Sequence, residues 1–244
     1  MNLVVDIGNT QTKIALFDKN EHQKTEIVEG FSNEFLLNYL SNRNDIKSII
    51  VSSVKNLRID FEPIRQRNIF VIEFDENTLL PIINNYQSSK TLGKDRLAAA
   101  VGGYLLHQNE NVLVIDAGTC IKYDFVDSIG NYEGGAISPG ILMRFKALNT
   151  FTDKLPLVEK SNFNKLIGKT TEESILSGVF NGVFAEVDGI IDQYKQKFGE
   201  VKIVLSGGDM NYFDNRLKNS IFAFPNIVIF GLNKILNFND KSNF

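Results

Sequence analysis

The hydrophobic and polar positions of this chain form one pattern twice. Residues 3–18 read LVVDIGNTQTKIALFD, and residues 112–127 read VLVIDAGTCIKYDFVD. Each copy has an apolar run that ends in aspartate, a turn with glycine and threonine, a lysine, and a second apolar run. Seven positions separate Asp6 from Lys13, whereas the second copy has six between the corresponding residues. One residue fewer in the second turn explains the offset, and the consistent register favours an internal duplication.

Each copy predicts a β-hairpin, and later segments predict further strands and helices. Short β-branched runs predict strands at 47–54 and 201–209, while apolar residues at helical spacing predict helices at 35–43 and 172–198. A further helix is expected to begin near Lys94. Strands that alternate with helices favour an α/β fold with parallel pairing, and the hairpins make each sheet mixed.

The length of the chain allows two domains. It has 244 residues, and a domain is typically about 100–150 residues long. The duplication puts one hairpin in each half, so we place the boundary after the helix that follows Lys94. The predicted domains are 1–108 and 109–244.

Composition and charge are those of a soluble globular protein, with 43% apolar and 23% charged residues. A net charge of −3 without a clustered basic stripe argues against a nucleic-acid partner. One cysteine excludes an intrachain disulfide, and with two histidines it leaves little material for a zinc site. Neither a signal-peptide pattern nor an apolar run of about 20 residues is visible. We therefore expect a cytoplasmic protein with no membrane partner.

The first hairpin turn carries groups that suit phosphate binding. Asp6 places a carboxylate at the end of a strand, and Gly8 lets the backbone approach a ligand closely. Successive backbone N–H groups in such a turn form an anion-binding concavity, and Lys13 adds a positive charge. The alternative is that aspartate, glycine and asparagine only shape the turn. The second Asp-x-Gly-Thr turn, at 116–119, favours two loops that clamp a polyphosphate with its Mg²⁺.

The segment GKDR (93–96) precedes an apolar helical pattern. Asp95 is then expected at or near the helix N-terminus, where the helix dipole favours a carboxylate. An N-capping role is the common alternative. The adjacent Arg96 favours a second interpretation, in which the pair serves as a base and an anion clamp.

Other loops carry weaker signals. Thr170 and Glu173 fit a capping box, which leaves Thr171 for a ligand. Gly178 and Gly182 lie four positions apart in the long helix, so we expect a neighbouring helix or a second subunit to pack closely there. SGGD (206–209) either turns the chain or admits an adenosine. The loop GGAISPG (134–140) has mainly turn chemistry, and Cys120 is expected to be a small buried residue.

Together these motifs resemble one family. DIGNT with its lysine, GKDR, DAGT, GGAISPG, GKTTEES and LSGGD occur in that order and are similar to those of type III pantothenate kinases, within the acetate and sugar kinase/heat-shock 70/actin superfamily. The resemblance covers roughly residues 2–232. DIGNT or DAGT alone indicates the superfamily, whereas Tyr86 nine residues before Asp95 is more specific.

The resemblance implies a fold, a reaction and partners. The fold is α/β, with two duplicated ribonuclease-H-like domains, each a mixed sheet flanked by helices. The reaction is the phosphorylation of pantothenate by ATP, the first step of coenzyme A synthesis. The implied cofactors are Mg²⁺ and a monovalent cation, K⁺ or NH₄⁺, and the implied assembly is a homodimer.

The resemblance also implies roles for the matching residues. Those expected to bind ATP are Asp6, Ile7, Gly8, Asn9, Thr10, Gln11, Thr12, Lys13 and Thr119. Those expected to bind pantothenate are Tyr86, Gly93, Lys94, Asp95, Arg96 and Thr171. The expected general base is Asp95, while Asp6 lies near Mg²⁺, directly or through water, and Asp116 helps to hold the monovalent cation.

Two positions depart from the family's pattern, and three other functions stay open. Ser89 stands where the family often has proline, and Asp153 stands where it usually has alanine. Another kinase of the superfamily would share both phosphate loops. A ribonuclease-H-like nuclease would use Asp6 and Asp116 for two metals but leave Lys13 without a role. A non-catalytic regulator on the same fold is the third possibility.

Overall fold

Two units make up the chain in this computed structural model, which describes residues 1–55 and 57–240. The described residues of the first unit are 1–55, 57–106, 130–132 and 227–240. The second unit holds residues 107–129 and 133–226. The sequence had placed one boundary between residues 108 and 109, and it did not indicate that the last helix returns to the first unit.

The first unit contains a five-stranded mixed sheet. Its strands are β1 (Asn2–Ile7), β2 (Thr12–Asp18), β3 (Glu21–Val28), β4 (Ser48–Ser53) and β5 (Phe70–Glu73). Their order is β3-β2-β1-β4-β5. Its helices are α1 (Asn33–Ser41), α2 (Glu62–Arg65), α3 (Lys94–Leu106) and α6 (Ile227–Asn239). A short strand, β6 (Ile83–Asn84), pairs with Asn131 and Tyr132, and a 3-10 turn covers Ser89–Thr91.

The second unit is built in the same way. Its strands are β7 (Val112–Ala117), β8 (Cys120–Val126), β9 (Asn131–Pro139, of which the first two residues group with the first unit), β10 (Lys202–Ser206) and β11 (Phe222–Ala223). They run in the order β11-β10-β7-β8-β9. Its helices are α4 (Ile141–Thr150) and α5 (Thr171–Phe198), and a 3-10 turn covers Met210–Phe213.

The matching strand order confirms the duplication read from the sequence. In the first unit, β1 pairs antiparallel with β2 and parallel with β4. In the second, β7 pairs antiparallel with β8 and parallel with β10. The strands predicted at 47–54 and 201–209 are therefore β4 and β10, and they occupy equivalent places beside the two hairpins.

Alternation along β1 explains how its last polar residue is presented. Leu3, Val5 and Ile7 share a core with Val51 of β4. Side chains alternate between the faces of a strand, so Asp6 lies on the opposite face near the strand's end. The buried core therefore fixes the register that presents the carboxylate.

Buried polar groups attach α6 to the first unit. Asn233 is 0% exposed, and its Nδ2 donates to the Lys19 carbonyl at 2.8 Å. Asn2 Nδ2 donates to Asn233 Oδ1 at 2.8 Å. Buried amides keep their position only when their hydrogen bonds are met, so these contacts specify where the helix docks.

The long helix α5 is the central helix of the second unit. The Thr170 side chain accepts the Glu173 N–H at its start, as predicted, and Gly199 follows its end with φ of +77°. α5 is long and apolar enough to cross a membrane, but 56% of its most apolar 18-residue stretch is buried within the fold. A Cβ at Gly178 or Gly182 would have no heavy atom within 4 Å beyond the helix's own nearby backbone. The described chain therefore supplies no closely packed partner at these glycines.

Candidate active site

The first hairpin presents its polar residues at the end of β1. Asp6 lies directly opposite Lys13 in the β1–β2 register. The turn is closed by the Gly8 N–H, which donates to the Gln11 carbonyl at 3.0 Å. The positions from 9 to 11 are exposed, so their backbone and side chains are accessible to a ligand. The predicted phosphate loop thus has a carboxylate, an ammonium and an exposed turn on one hairpin.

The second hairpin repeats the pair in a shorter turn. The Gly118 N–H donates to the Cys120 carbonyl at 3.0 Å, which closes the turn one residue earlier. Asp116 lies opposite Lys122, and the Lys122 Nζ is 2.6 Å from Asp116 Oδ2. Thr119 is exposed at the tip. The shorter turn is the difference that the sequence offset predicted.

Two distant glycines pack directly against the second hairpin turn. A Cβ at Gly140 would lie 2.1 Å from the Gly118 carbonyl oxygen, and a Cβ at Gly207 would lie 2.2 Å from that of Ala117. Gly140 also donates its N–H to the Thr119 carbonyl at 3.1 Å. Both contacts need a residue without a side chain. Sequence reasoning assigned Gly140 to turn chemistry, whereas here it supports the predicted ATP loop.

Five of the six residues predicted to bind the acceptor lie in the first unit, and they are Tyr86, Gly93, Lys94, Asp95 and Arg96. Asp95 is the second residue of α3, and its Oδ1 accepts the Arg96 backbone N–H at 2.9 Å. Arg96 is buried, at 5% exposed, and its guanidinium carbon lies 5.5 Å from the centre of the Tyr86 ring. The Tyr86 and Tyr132 rings are 6.2 Å apart. Asp95 therefore lies inside the first turn rather than at the N-cap, with Gly93 and Lys94 directly before it.

Thr171 lines a cavity in the second unit. The cavity has a volume of about 510 Å³ and is formed by α4, the segment after it and α5. Its walls combine apolar and polar side chains, among them Arg144, Leu148, Leu155 and Ser174. Thr170, not Thr171, caps the helix, as the sequence predicted, and a ligand role for Thr171 stays a prediction.

Arg144 joins the GGAISPG segment to α5. Its Nε donates to the Pro139 carbonyl at 2.9 Å, and its Nη2 donates to Ser138 Oγ at 2.9 Å and to Glu186 Oε2 at 2.5 Å. Burial raises the pKa of Glu186, but hydrogen bonds from Ser138 and Arg144 outweigh burial and leave it below its usual value. Burial, with Glu186 beside it, raises the pKa of Tyr123, so this phenol stays protonated. The network fixes the segment that leads to Gly140.

Comparison with known proteins identifies the family. The sequence profile of type III pantothenate kinases matches residues 2–193. The chain belongs to the type III pantothenate kinase family.

Individual relatives extend the match over the whole length. A type III pantothenate kinase of Phocaeicola vulgatus is 45% identical over 244 residues, covering 99% of this chain and 100% of the relative. One from Bacteroides fragilis strain YCH46 is 44% identical, covering 98% and 99%. One from Cytophaga hutchinsonii is 39% identical, covering 98% and 100%.

Solved structures share the fold. A Campylobacter jejuni protein described as of the Baf family of transcriptional activators has a TM-score of 0.61 at 24% identity, with 99% of this chain and 100% of that chain covered. A glucokinase of Streptomyces griseus, solved with glucose and AMPPNP, has a TM-score of 0.52 at 11% identity, with 98% and 99% covered. At these identities the likeness supports an actin-like α/β fold with duplicated ribonuclease-H-like domains.

Two features of this type III pantothenate kinase bear on the alternatives. Among residues 1–55 and 57–240, no group of three or more His, Cys, Asp or Glu side chains is placed to hold a metal. A ribonuclease-H-like nuclease needs such a cluster. Asp6 and Asp116 instead each lie opposite a lysine.

The ion pair between Asp209 and Lys160 was not predicted from the sequence. Asp209 ends the SGGD segment and is 6% exposed, and its Oδ1 forms an ion pair with Lys160 Nζ. Its N–H donates to the Ala117 carbonyl at 2.9 Å, next to the second hairpin turn. The lysine lies 49 positions away, so the sequence carried no local signal for the contact.

Proposed function

We infer that this chain is a pantothenate kinase that transfers the γ-phosphate of ATP to the primary hydroxyl of pantothenate. The product is 4'-phosphopantothenate, and the reaction is the first step of coenzyme A biosynthesis. Family membership supports this function. The observation that carries it is the grouping of Asp95, Arg96 and Tyr86 at the start of α3. The free cysteine, Cys120, suits the reducing cytoplasm, where we propose that the enzyme acts.

Asp95 is proposed as the general base. It lies in the first turn of α3, at the positive end of the helix dipole. The pantothenate hydroxyl oxygen forms a bond to the γ-phosphorus while its proton passes to Asp95. The bond from the γ-phosphorus to the bridging oxygen breaks, and ADP leaves. Arg96, with Tyr86 against it, is suited to hold the substrate carboxylate or the transferring phosphoryl group.

Residues 6–13 and Thr119 are proposed to hold ATP. The exposed turn offers backbone N–H groups, and Lys13 offers a positive charge for the phosphates. The described chain lacks a cluster of three metal-binding side chains. A single nearby carboxylate, Asp6, fits a Mg²⁺ ion that is bound mainly by phosphate oxygens and water. When bound, Mg²⁺ would neutralise the charge that develops on the phosphates.

The acceptor is proposed to contact Tyr86, Gly93, Lys94, Asp95, Arg96 and Thr171. The cavity beside Thr171 is wide enough for a small metabolite and has Arg144 in its wall.

The monovalent cation implied by the resemblance does not fit its expected carboxylate. Asp116 already has the Lys122 ammonium at 2.6 Å. A K⁺ or NH₄⁺ on the same carboxylate would face a like charge at close range. The ion pair with Lys122 therefore leaves this carboxylate poorly suited to hold K⁺ or NH₄⁺.

We also propose a homodimer that uses the exposed side of α4 and α5. Ile137, Leu142, Phe151, Leu166 and Ile167 are exposed apolar residues in these helices or near them along the chain, and exposed apolar residues are the kind that an interface covers. The open space beside Gly178 and Gly182 lies on the exposed side of α5. A Cβ at Gly178 would meet no heavy atom within 4 Å of the described chain, so we expect Gly178→Trp to fold and to dissociate in analytical ultracentrifugation. A dimer of unchanged affinity would remove this face from the interface.

The function is tested by measuring ADP release with and without pantothenate in a coupled assay. We expect release to depend on pantothenate, and we expect Asp95→Asn to lower kcat by roughly 10²-fold or more. Asp153→Asn, at an exposed acidic position, is the matched control and should keep wild-type turnover. ADP release that ignores pantothenate would refute the function. Near-normal turnover of Asp95→Asn would refute only the role of that residue.

A further inference from the structure

We propose that the Lys122 ammonium replaces the monovalent cation at Asp116, so that this enzyme works without K⁺ or NH₄⁺. The inference rests on the proposed kinase function. It deepens that function, because it concerns which cation supports the second hairpin turn.

The geometry gives Asp116 a built-in cation. Asp116 and Lys122 are directly opposite each other on β7 and β8, with Nζ and Oδ2 separated by 2.6 Å. Their side chains are only 17% and 18% exposed. Salt screens a pair shielded in this way much less than it screens a surface pair. A tethered ammonium therefore supplies one positive charge at this carboxylate at every K⁺ concentration.

The surroundings of Asp116 place this charge beside the predicted ATP loop. The other carboxylate oxygen, Oδ1, would lie 2.6 Å from a Cβ at Gly207, so the Gly207 turn closes around it. Ala117 follows Asp116 and accepts the Asp209 N–H at 2.9 Å. Thr119 is three positions from Asp116. A change of charge at Asp116 would thus act on the turn that carries Thr119.

The duplication offers an internal comparison. In the first hairpin Lys13 stands opposite Asp6, as Lys122 stands opposite Asp116 in the second. The lysine at 122 is therefore part of the repeated pattern rather than a surface residue that happens to lie near a carboxylate. If Lys122 instead bound a phosphate directly, no external monovalent cation would make up for its loss.

The first test measures pantothenate-dependent ADP release against K⁺ concentration. KCl is exchanged for tetramethylammonium chloride at a constant ionic strength of about 0.1 M, because surface electrostatics depend on salt. We expect wild-type turnover to be the same in both salts. In tetramethylammonium chloride the turnover of Lys122→Ala should fall roughly tenfold or more, because the variant lacks a preorganised charge at Asp116. Its turnover should recover as K⁺ or NH₄⁺ is added.

A matched control separates this site from general charge effects. Lys202 forms an exposed ion pair with Glu110 at 3.2 Å in the same unit. Lys202→Ala should stay insensitive to the choice of cation. Activation of this control by K⁺ to the same extent as Lys122→Ala would overturn the assignment to Asp116.

A second measurement does not depend on activity. A ligand that binds the native state raises its unfolding temperature, so KCl should stabilise Lys122→Ala relative to tetramethylammonium chloride and leave the wild type unchanged. Wild-type enzyme that needs K⁺ for turnover would overturn the inference, even if the variant fails to fold. So would a folded Lys122→Ala that K⁺ neither activates nor stabilises. If the wild type shows no pantothenate-dependent release in any salt, the proposed function fails first, and the inference fails with it.

Discussion

Replacing Gly207 with Ala is expected to damage both the stability and the nucleotide affinity of the second unit. Gly207 has φ of +96°, and its Cβ would lie 2.2 Å from the Ala117 carbonyl oxygen, against 3.4 Å or more for ordinary contact. A side chain in the left-handed region costs about 1–2 kcal/mol, and overpacking costs about 1–3 kcal/mol. The free energy of unfolding should therefore fall by about 2–5 kcal/mol. For a chain of this size that is a drop of roughly 10 °C in unfolding temperature.

The clash also has a functional consequence, because relieving it moves the turn that carries Thr119. A displacement of about 1 Å at an active site can cost about 10²-fold in activity, so we expect kcat/KM for ATP to fall by up to that factor. Circular dichroism and steady-state kinetics give the two quantities. Gly208→Ala is the stability control, because its Cβ has no heavy atom within 4 Å and its φ is not in the left-handed region. Equal unfolding temperatures for the two variants, with wild-type kcat/KM for ATP, would refute the reasoning.

Two further predictions concern stability. Ser52 is 0% exposed, and its hydroxyl has no hydrogen-bond partner in the described residues. Ser52→Ala should therefore raise the free energy of unfolding, measured in urea, by about 1 kcal/mol. A clear decrease would mean that the hydroxyl is hydrogen-bonded. The pKa of Glu186 is held below 4.5 in the folded chain, so its ionised form stabilises the fold above that pH and the contribution is lost as pH falls through the folded pKa. The difference in unfolding free energy between the wild type and Glu186→Gln should therefore be largest near neutral pH and shrink below pH 4.5, and a difference that does not change with pH would contradict this account.

Features written in local patterns could be predicted from the sequence. The hairpins, the start of α3 at Lys94 and the single-residue difference between the two turns all follow from short-range alternation and spacing. Asp95, Arg96 and Tyr86 lie within ten positions of one another, and the structure brings them together. Local spacing was sufficient there because a helix start and the segment before it have few ways to arrange themselves.

Features that depend on distant contacts were missed. Gly140 was assigned to turn chemistry, because the requirement for glycine comes from the carbonyls of Gly118 and Thr119, more than 20 positions earlier. The return of α6 to the first unit depends on Asn233, a residue that no periodic pattern marks as a docking group. In both cases the residue type is explained by what packs against it, and one sequence does not name that partner.

The turns of the two duplicated hairpins differ in the residues that pack against them, and this difference argues that the two turns have different functions. The second turn is backed by Gly140 and Gly207, which press against its carbonyls, so it has little freedom to move. In the first turn the Gly8 N–H donates to the Gln11 carbonyl, and the positions from 9 to 11 are exposed. A preorganised group stabilises transition-state charge without reorganising, whereas a loop that wraps a ligand must adapt to it. The second hairpin turn is therefore suited to hold fixed charge at Asp116 and Lys122. The first hairpin turn is suited to close around the phosphates that we propose it binds.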